Sequence, residues 1–241
     1  SDLPQGARSG LAGGACAIAG AILLSLRVAV IATLVATPFG IALAWLLARR
    51  DFWGKSLLDA AVHLPLVLPP VVTGYLLLLT FGKRGLVGGW LADHLGIVFA
   101  FRWTGAALAC GVMSFPLLVR PIRLSIEAVD RRLEQAAETL GAAPWRVFAT
   151  VTLPLALPGV LAGMVLGFAK AIGEFGATIT FVSNIPGETQ TISSAIYSLI
   201  QTPDGDTAAA RLVIVSIVIA MGALIGAEVF ARRATARLHG Q

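Results

Sequence analysis

The sequence predicts an all-α protein that crosses a membrane several times and forms a single transmembrane domain over residues 1–241. Two features of composition indicate this class. Hydrophobic residues make up 57% of the chain and charged residues only 13%, whereas soluble domains carry about 25% charged residues. The mean hydropathy is +0.85. In addition, several apolar runs approach the length of about 20 residues that a helix needs to cross a bilayer.

Five segments are long and apolar enough to span a bilayer at about 1.5 Å of rise per residue. They cover residues 26–48, 62–81, 103–119, 158–182 and 208–231. Residues 11–24 are apolar but shorter, so we interpret 1–24 as a periplasmic or interfacial segment that leads into the first span. A sixth span is the alternative. Pro65, Pro69 and Pro70 interrupt the backbone hydrogen bonding of the second span and predict a kink or a break there.

Glycines recur every four residues in the last two spans. Gly159, Gly163 and Gly167 follow this spacing in the fourth span, and Gly222 and Gly226 in the fifth. Small residues at this spacing form a smooth helix face on which a second helix can pack closely. The alternative is that glycine is simply abundant in this chain.

The distribution of Lys and Arg predicts the orientation of the chain. If residues 120–153 are cytosolic, eleven of the 18 basic residues lie on the cytosolic side and six lie outside. Cytosolic loops carry the excess of basic residues, so the N-terminus is expected in the periplasm and the C-terminus in the cytoplasm. Five spans fit that arrangement. The same bias explains the net charge of +5 without binding to nucleic acid.

Motifs for catalysis are missing from the sequence. It contains no G-x-x-x-x-G-K-[ST] phosphate loop, no H-E-x-x-H and no nucleophile elbow, and its three histidines are scattered. A phosphate loop is what holds ATP in the common nucleotide hydrolases. We therefore expect this chain to be no enzyme and to bind no metal or cofactor of its own.

Residues 120–153 form the longest polar segment, which is too long for a simple connection between spans. Gly141 is expected to end a helix, and Pro144 to begin a second, short one. A helix, a glycine turn and a helix would make a compact surface knob; a solvated amphipathic loop is the alternative. Before Gly141, the apolar residues of this segment follow helical spacing. They are Leu124, Ala128, Val129, Leu133, Ala136, Ala137 and Leu140.

The stretch EQAAETLGAAPWRVFATVTLP resembles the E-A-A-x-x-x-G-x(9)-I-x-L-P signature of the permeases of binding-protein-dependent ABC importers. Val151 stands where Ile is usual, and Gln135 occupies the Glu position, directly after Glu134. The resemblance implies a type I permease fold in which this loop is a coupling loop that inserts into a cleft on an ATPase. Either Glu134 or Gln135 would make the contact of the signature Glu. The implied coupling residues are Glu134, Gln135, Ala136, Ala137, Gly141, Arg146, Leu153 and Pro154.

Residues 63–79, 113–148 and 173–205 are similar to molybdate importer permeases, and the likeness extends from about residue 23 to 233. Sulfate and thiosulfate permeases share the Gly-Glu-Phe-Gly and Asn-Ile-Pro elements. The continuation TQTISSAIY and the five-span length favour molybdate. The resemblance thus implies a permease subunit that moves molybdate, and tungstate as well, across a bacterial inner membrane. A sulfate or thiosulfate permease is the alternative.

The resemblance also implies the partners. A second copy of the chain would complete the pathway, two separate ATPase subunits would hold ATP and Mg, and a periplasmic molybdate-binding protein would deliver the substrate. Two alternatives from other functional classes are a membrane-embedded enzyme and a passive ion channel. An enzyme needs catalytic groups clustered at one membrane depth, and a channel would conduct without ATP.

Lys170 and Glu174 are four residues apart in the predicted fourth span, so they can meet on one side of a helix. Lys170 would lie about 18 Å along this helix from Pro158, near the bilayer centre. A charge at that depth is costly and should be paired. The pair is either a structural ion pair or part of the substrate pathway or its gate. Polar donors follow towards the outer face that could bind an oxyanion weakly, namely Thr178, Thr180, Ser183 and Asn184.

Overall fold

The computed structural model describes residues 5–203 and 205–239, with side chains for the most part between Ile18 and Val229. All regular structure in these residues is helical, as the composition predicts, and a π-helical turn at Phe148–Thr152 joins α7 to α8. The helices are α1 (Gln5–Arg49), α2 (Lys55–Val67), α3 (Pro70–Phe81), α4 (Leu86–Leu95), α5 (Trp103–Glu127), α6 (Arg131–Thr139), α7 (Pro144–Val147), α8 (Leu153–Ile172), α9 (Gly176–Val182), α10 (Ile192–Leu199) and α11 (Asp206–His239).

Three helical stretches of the described residues are long and apolar enough to cross a membrane: Ile18–Arg49, Trp103–Glu127 and Pro144–Ile172. A fourth results if α2 and α3 count as one broken span. The predicted fifth span, 208–231, falls within the 34-residue helix α11, and some residues near its C-terminal end lie outside those whose side chains are described. The prediction of an all-α chain with several apolar spans is confirmed.

Helix α1 continues without interruption across the predicted boundary between residues 24 and 26. Residues 21–27, AILLSLR, consist mainly of good helix formers and contain neither Gly nor Pro, so nothing in this segment ends the helix. Residues 1–4 lie outside the described residues, and the periplasmic or interfacial placement of residues 1–24 stays a prediction.

The predicted break in the second span is confirmed. Helices α2 and α3 meet at an angle of 115°. Leu68 is extended, with φ −70° and ψ 143°, because the ring of the following Pro69 disfavours a helical conformation there. Pro70 then occupies the first turn of α3, where its missing N–H is no loss.

The fourth span differs from the predicted continuous helix over 158–182. A helical stretch from Pro144 to Ile172 precedes a break at residues 173–175, and α9 begins separately at Gly176. Apolar residues continue on both sides of Gly173 and Glu174, so the overall apolar character of the segment did not reveal the break. Lys170 therefore lies in the last turn of α8 and not in the middle of a helix, while Glu174 lies outside α8 altogether.

Helix α5 occupies the centre of the fold and packs against α1, α8 and α9. Its contact with α8 is close: a Cβ built on Gly163 would lie 2.5 Å from the carbonyl oxygen of Leu118. Such a distance leaves no room for any side chain, so glycine permits the approach, as the spacing predicts. On α11, by contrast, a Cβ built on Gly222 or Gly226 meets no heavy atom within 4 Å.

Candidate functional site

The segment around Gly141 has the expected helix–turn–helix form. Gly141 has φ +85°, a conformation that favours glycine. Its N–H donates to the carbonyl of Glu138, and the N–H of Ala142 donates to the carbonyl of Ala137. These two bonds form a Schellman cap, which satisfies the last carbonyls of α6. Helix α7 begins at Pro144, as expected.

The start of this loop differs from the prediction. The apolar spacing suggested one helix from Leu124 to Leu140, but α5 ends at Glu127 and α6 begins at Arg131. The carboxylate of Asp130 accepts a hydrogen bond of 2.9 Å from the N–H of Arg132. Asp is among the best residues at this N-terminal capping position, and the sequence signal for the new helix was this Asp.

Residues 120–127 of the predicted loop 120–153 belong to α5, and Leu153 begins α8; we call the remaining residues 128–152 the docking loop. Large apolar side chains lie exposed on it. Leu133, Leu140 and Trp145 are 50%, 88% and 66% exposed, and α6 has no buried residue. Exposed aromatic and aliphatic groups on an otherwise charged surface are typical of a protein-binding site. This exposure favours a docking surface over a merely solvated loop.

Glu134 and Gln135 face in different directions. One oxygen of Glu134, Oε1, accepts a hydrogen bond of 3.0 Å from Nη2 of Arg49 and a second from the hydroxyl of Thr152. Gln135 is exposed. The carboxylate of Glu134 is thus bound within the chain, and Gln135 is the neighbour that can reach a partner. Arg49 and Thr152 were not singled out from the sequence because they lie 85 and 18 residues from Glu134.

The remaining residues of the predicted coupling set lie on or beside the docking loop. Ala136, Arg146 and Pro154 are exposed, and Leu153 is partly buried at the start of α8. The guanidinium of Arg146 lies 5.3 Å from the ring centre of Trp145. Arg146 thus lies beside an exposed apolar side chain of the loop, while contact of the whole set with an ATPase stays a prediction.

Lys170 and Glu174 lie in contact across the end of α8, with 2.7 Å between Nζ and Oε2. The other carboxylate oxygen accepts a hydrogen bond of 3.0 Å from the N–H of Ala177, in the first turn of α9. Glu174 is 2% exposed, whereas the Lys170 side chain is 30% exposed. Glu174 therefore joins the end of one helix to the start of the next, and its partner Lys170 reaches towards the surface.

Three of the four expected oxyanion donors are already engaged, whereas the fourth, Ser183, is exposed. Thr178 donates its hydroxyl proton to the carbonyl of Phe175, and Thr180 donates to that of Gly176. The amide of Asn184 donates to the hydroxyl of Ser198 at 2.7 Å. Threonine in a helix commonly bonds back to the preceding turn. An oxyanion would have to displace these bonds.

The loop after α9 depends on a residue that sequence reasoning missed, Thr189. Ser183 has φ +65°, which is unfavourable for a residue with a Cβ. The hydroxyl of the buried Thr189 accepts from the N–H of Ile185 at 2.9 Å and donates to the carbonyl of Ser183 at 3.3 Å. This side chain holds Ser183 and Asn184 in place, and no periodicity in the sequence marks it.

Known proteins resemble this chain over most of its length. It is 64% identical over 212 residues to the molybdenum transport system permease protein ModB of Escherichia coli K12, covering 88% of this chain and 93% of that protein. It is 57% identical over 218 residues to ModB of Haemophilus influenzae, covering 90% and 95%. The sulfate transport system permease protein CysT of Escherichia coli K12 is 37% identical over 202 residues, covering 84% and 72%.

Solved structures share the fold. A bacterial alginate ABC transporter in complex with an alginate-bound periplasmic protein matches with a TM-score of 0.71 at 20% identity, covering 90% of this chain and 78% of that one. The inward-facing methionine ABC transporter MetNI matches with a TM-score of 0.68 at 13% identity, covering 96% and 99%. The family described as binding-protein-dependent transport system inner membrane component matches residues 36–236. This chain belongs to that family.

Proposed function

We propose that this chain is the permease subunit of an ABC importer that carries molybdate, and tungstate as well, into the cytoplasm. The observation that carries the proposal is the 64% identity to a molybdenum transport permease over 88% of the chain. The sulfate permease is more distant, at 37%. The sequence has no ATP-binding loop, so hydrolysis belongs to a separate ATPase subunit that holds ATP and Mg.

The docking loop supplies the surface for that ATPase. Its exposed apolar side chains, Leu133, Leu140 and Trp145, offer anchors for a pocket on the partner, because buried aromatic and aliphatic groups contribute most to such interfaces. Gln135 and Arg146, both exposed, lie beside these anchors and supply polar contacts. Glu134 supports the loop from within.

The complete importer contains two copies of this chain, two ATPase subunits and a periplasmic molybdate-binding protein. The N-terminus lies in the periplasm and the C-terminus in the cytoplasm of a bacterium, which places the docking loop with the ATPases. Closure of the ATPases on ATP draws the two docking loops together and turns the pathway outward. ATP acts through its higher affinity for the closed state.

Lys170 is the group of this chain best suited to meet an oxyanion in the pathway. Its ammonium lies at a break between two helices and is partly exposed, and discontinuous helices commonly form the substrate sites of transporters. Because Glu174 already neutralises this charge, binding would be weak, as passage requires. Selectivity then rests mainly with the periplasmic binding protein.

Transport by the reconstituted importer tests the proposal. The vesicles contain this chain, its ATPase and its binding protein, with the ATPase facing the lumen. They should accumulate labelled molybdate only when the lumen contains ATP. Unlabelled tungstate should compete, and sulfate should compete much less. Equal competition by sulfate would instead support a sulfate permease, and flux without ATPase would support a channel.

A further inference from the structure

The docking helix α6 is attached to the transmembrane helices through a small group of polar side chains. Arg49 is the last residue of α1 and its side chain is only 9% exposed. Its Nη2 donates to Oε1 of Glu134 at 3.0 Å and to the carbonyl of Val129 at 3.1 Å. Val129 precedes α6 and Glu134 lies within it, so one guanidinium holds the turn and the helix together.

The same carboxylate oxygen of Glu134 links α6 to the base of α8. It accepts a hydrogen bond from the hydroxyl of Thr152, the last residue of the π-helical turn. Thr152 is 1% exposed. Beside this bond, the rings of Trp45 in α1 and Phe148 in the π-helical turn meet edge to face, with 5.9 Å between ring centres. Glu134 thus bridges α1 and α8 from a position in the docking helix.

We propose that Arg49, Glu134 and Thr152 form a coupling clamp that transmits displacement of α6 to α1 and α8. The inference rests on the proposed function, since it concerns how movement of an ATPase reaches the membrane helices. The three residues are positioning residues. Each acts through another group of the chain, because the atoms named here bond to one another and to the Val129 carbonyl.

The burial pattern explains why α6 needs such a clamp. Since α6 has no buried residue, apolar packing does little to fix it to the rest of the chain. The covalent route from α6 to α8 passes through Gly141, the short helix α7 and a π-helical turn, which is less regular than an α-helix and is common at functional sites. A partly buried ion pair with a shared hydrogen bond is directional and is strengthened by its low-dielectric surroundings. The clamp therefore gives a displacement of α6 a shorter route to α1 and α8 than the covalent chain does.

Transport coupling tests the clamp in the complete importer. We would compare Thr152→Val with Thr150→Val, because both threonines lie in the π-helical turn and Thr150 is exposed with its hydroxyl bonded to the carbonyl of Arg146. We would likewise compare Glu134→Gln with Glu138→Gln, since Glu138 is an exposed glutamate of the same helix. ATP hydrolysis and uptake of labelled molybdate are measured in the same vesicles.

The expected result is a loss of coupling. Thr152→Val and Glu134→Gln should continue to hydrolyse ATP while the molybdate moved per ATP falls about tenfold, within the usual range of coupling between sites. Thr150→Val and Glu138→Gln should keep the wild-type ratio. An unchanged ratio in the clamp variants overturns the clamp, as does a parallel fall of hydrolysis and uptake. Absence of ATP-driven molybdate uptake by the wild type would instead overturn the proposed function.

A distance measurement tests the clamp without transport. Spin labels are placed on the exposed Glu138 in α6 and the exposed Leu155 in α8. With the clamp intact, their separation should stay constant when the importer binds ATP, because both helices move together. In the Thr152→Val background the separation should change on ATP binding. A separation that changes in the wild-type importer overturns the proposal.

Discussion

Gly176, at the start of α9, lies directly against Pro70, at the start of α3. A Cβ built on Gly176 would be 2.7 Å from the Cβ of Pro70, and one built on Gly74 would be 2.6 Å from the carbonyl oxygen of Ala177. The break between α2 and α3 therefore meets the break between α8 and α9. Irregular backbone at membrane depth is tolerated where protein covers it, and here each break helps to cover the other.

Gly176→Ala should destabilise the protein because its methyl group meets the rigid ring of Pro70. Overpacking of this kind costs about 1–3 kcal/mol. Gly20→Ala is the matched control, since a Cβ at Gly20 meets no heavy atom within 4 Å. Thermal unfolding in detergent should show a midpoint lower by several °C for Gly176→Ala, at about 2–4 °C per kcal/mol, and no loss for Gly20→Ala. Equal midpoints would contradict the close contact.

Replacement of Gly141 should disturb the docking loop through its backbone and not through crowding. The residue has φ +85° and nothing within 4 Å of a built Cβ. A β-branched residue is strongly disfavoured in this region, whereas Asn tolerates it. We expect Gly141→Val to abolish ATP-coupled uptake in a folded protein and Gly141→Asn to retain much of it. Similar loss in both variants would point to a steric contact with the partner.

The two members of the Lys170–Glu174 pair should respond unequally to substitution. Lys170→Met leaves a carboxylate that is 2% exposed without its ammonium partner. We expect Lys170→Met to lower the free energy of unfolding by about 2–4 kcal/mol. This is towards the lower end for broken buried pairs, because Lys170 is partly exposed. Glu174→Gln retains an acceptor for the N–H of Ala177, and its lysine can reach water, so it should cost less.

Denaturant or thermal unfolding of both variants and of the double variant measures this asymmetry. The double variant should be more stable than Lys170→Met, because no buried charge remains. Uptake separates the two roles of Lys170. If it meets the oxyanion, the double variant should be stable but inactive. An active double variant would show that the pair is structural.

Thr189→Val should loosen the loop that carries Ser183 and Asn184. The substitution keeps the shape of the side chain but removes the partner of the Ile185 N–H. Because this bond is part-buried, the loss of stability should lie at or below the low end of the ~1–3 kcal/mol that a buried unpaired group costs. Thr202→Val is the control, because the hydroxyl of Thr202 donates to the carbonyl of Leu199 in its own turn at an exposed position. Amide hydrogen exchange of residues 183–189 should accelerate in Thr189→Val and stay unchanged in the control.

Sequence reasoning predicted those parts of the fold that depend on local chemistry. The apolar runs predicted the membrane helices, Pro69 predicted the break before α3, and Gly141 and Pro144 predicted the turn and the helix that follow α6. Each of these residues imposes its conformation on its own neighbourhood. A resemblance over most of the chain then predicted the family.

The features that were missed depend on specific side-chain contacts, which are local at the break after α8 and long-range at Arg49. The break at residues 173–175 is stabilised by Glu174, which binds both Lys170 and the start of α9. Gly173 and Glu174 interrupt the apolar run there, but apolar residues continue on both sides, so the sequence predicts a single span. The bond between Arg49 and Glu134 joins residues 85 positions apart. The excess of basic residues on the cytosolic side already accounted for the presence of Arg49 at the end of the first span. Counting charges therefore could not identify its partner.

The π-helical turn at Phe148–Thr152 has a consequence for changes in chain length. A π-helical turn contains one residue more than an α-helical turn needs, so deletion of the exposed Ala149 would convert it to a regular turn while the helices on either side keep their orientation. A deletion within α8 would instead rotate the following residues by about 100° and turn Gly163 away from α5. The base of α8 is thus the position in this helix where a change in length is best tolerated.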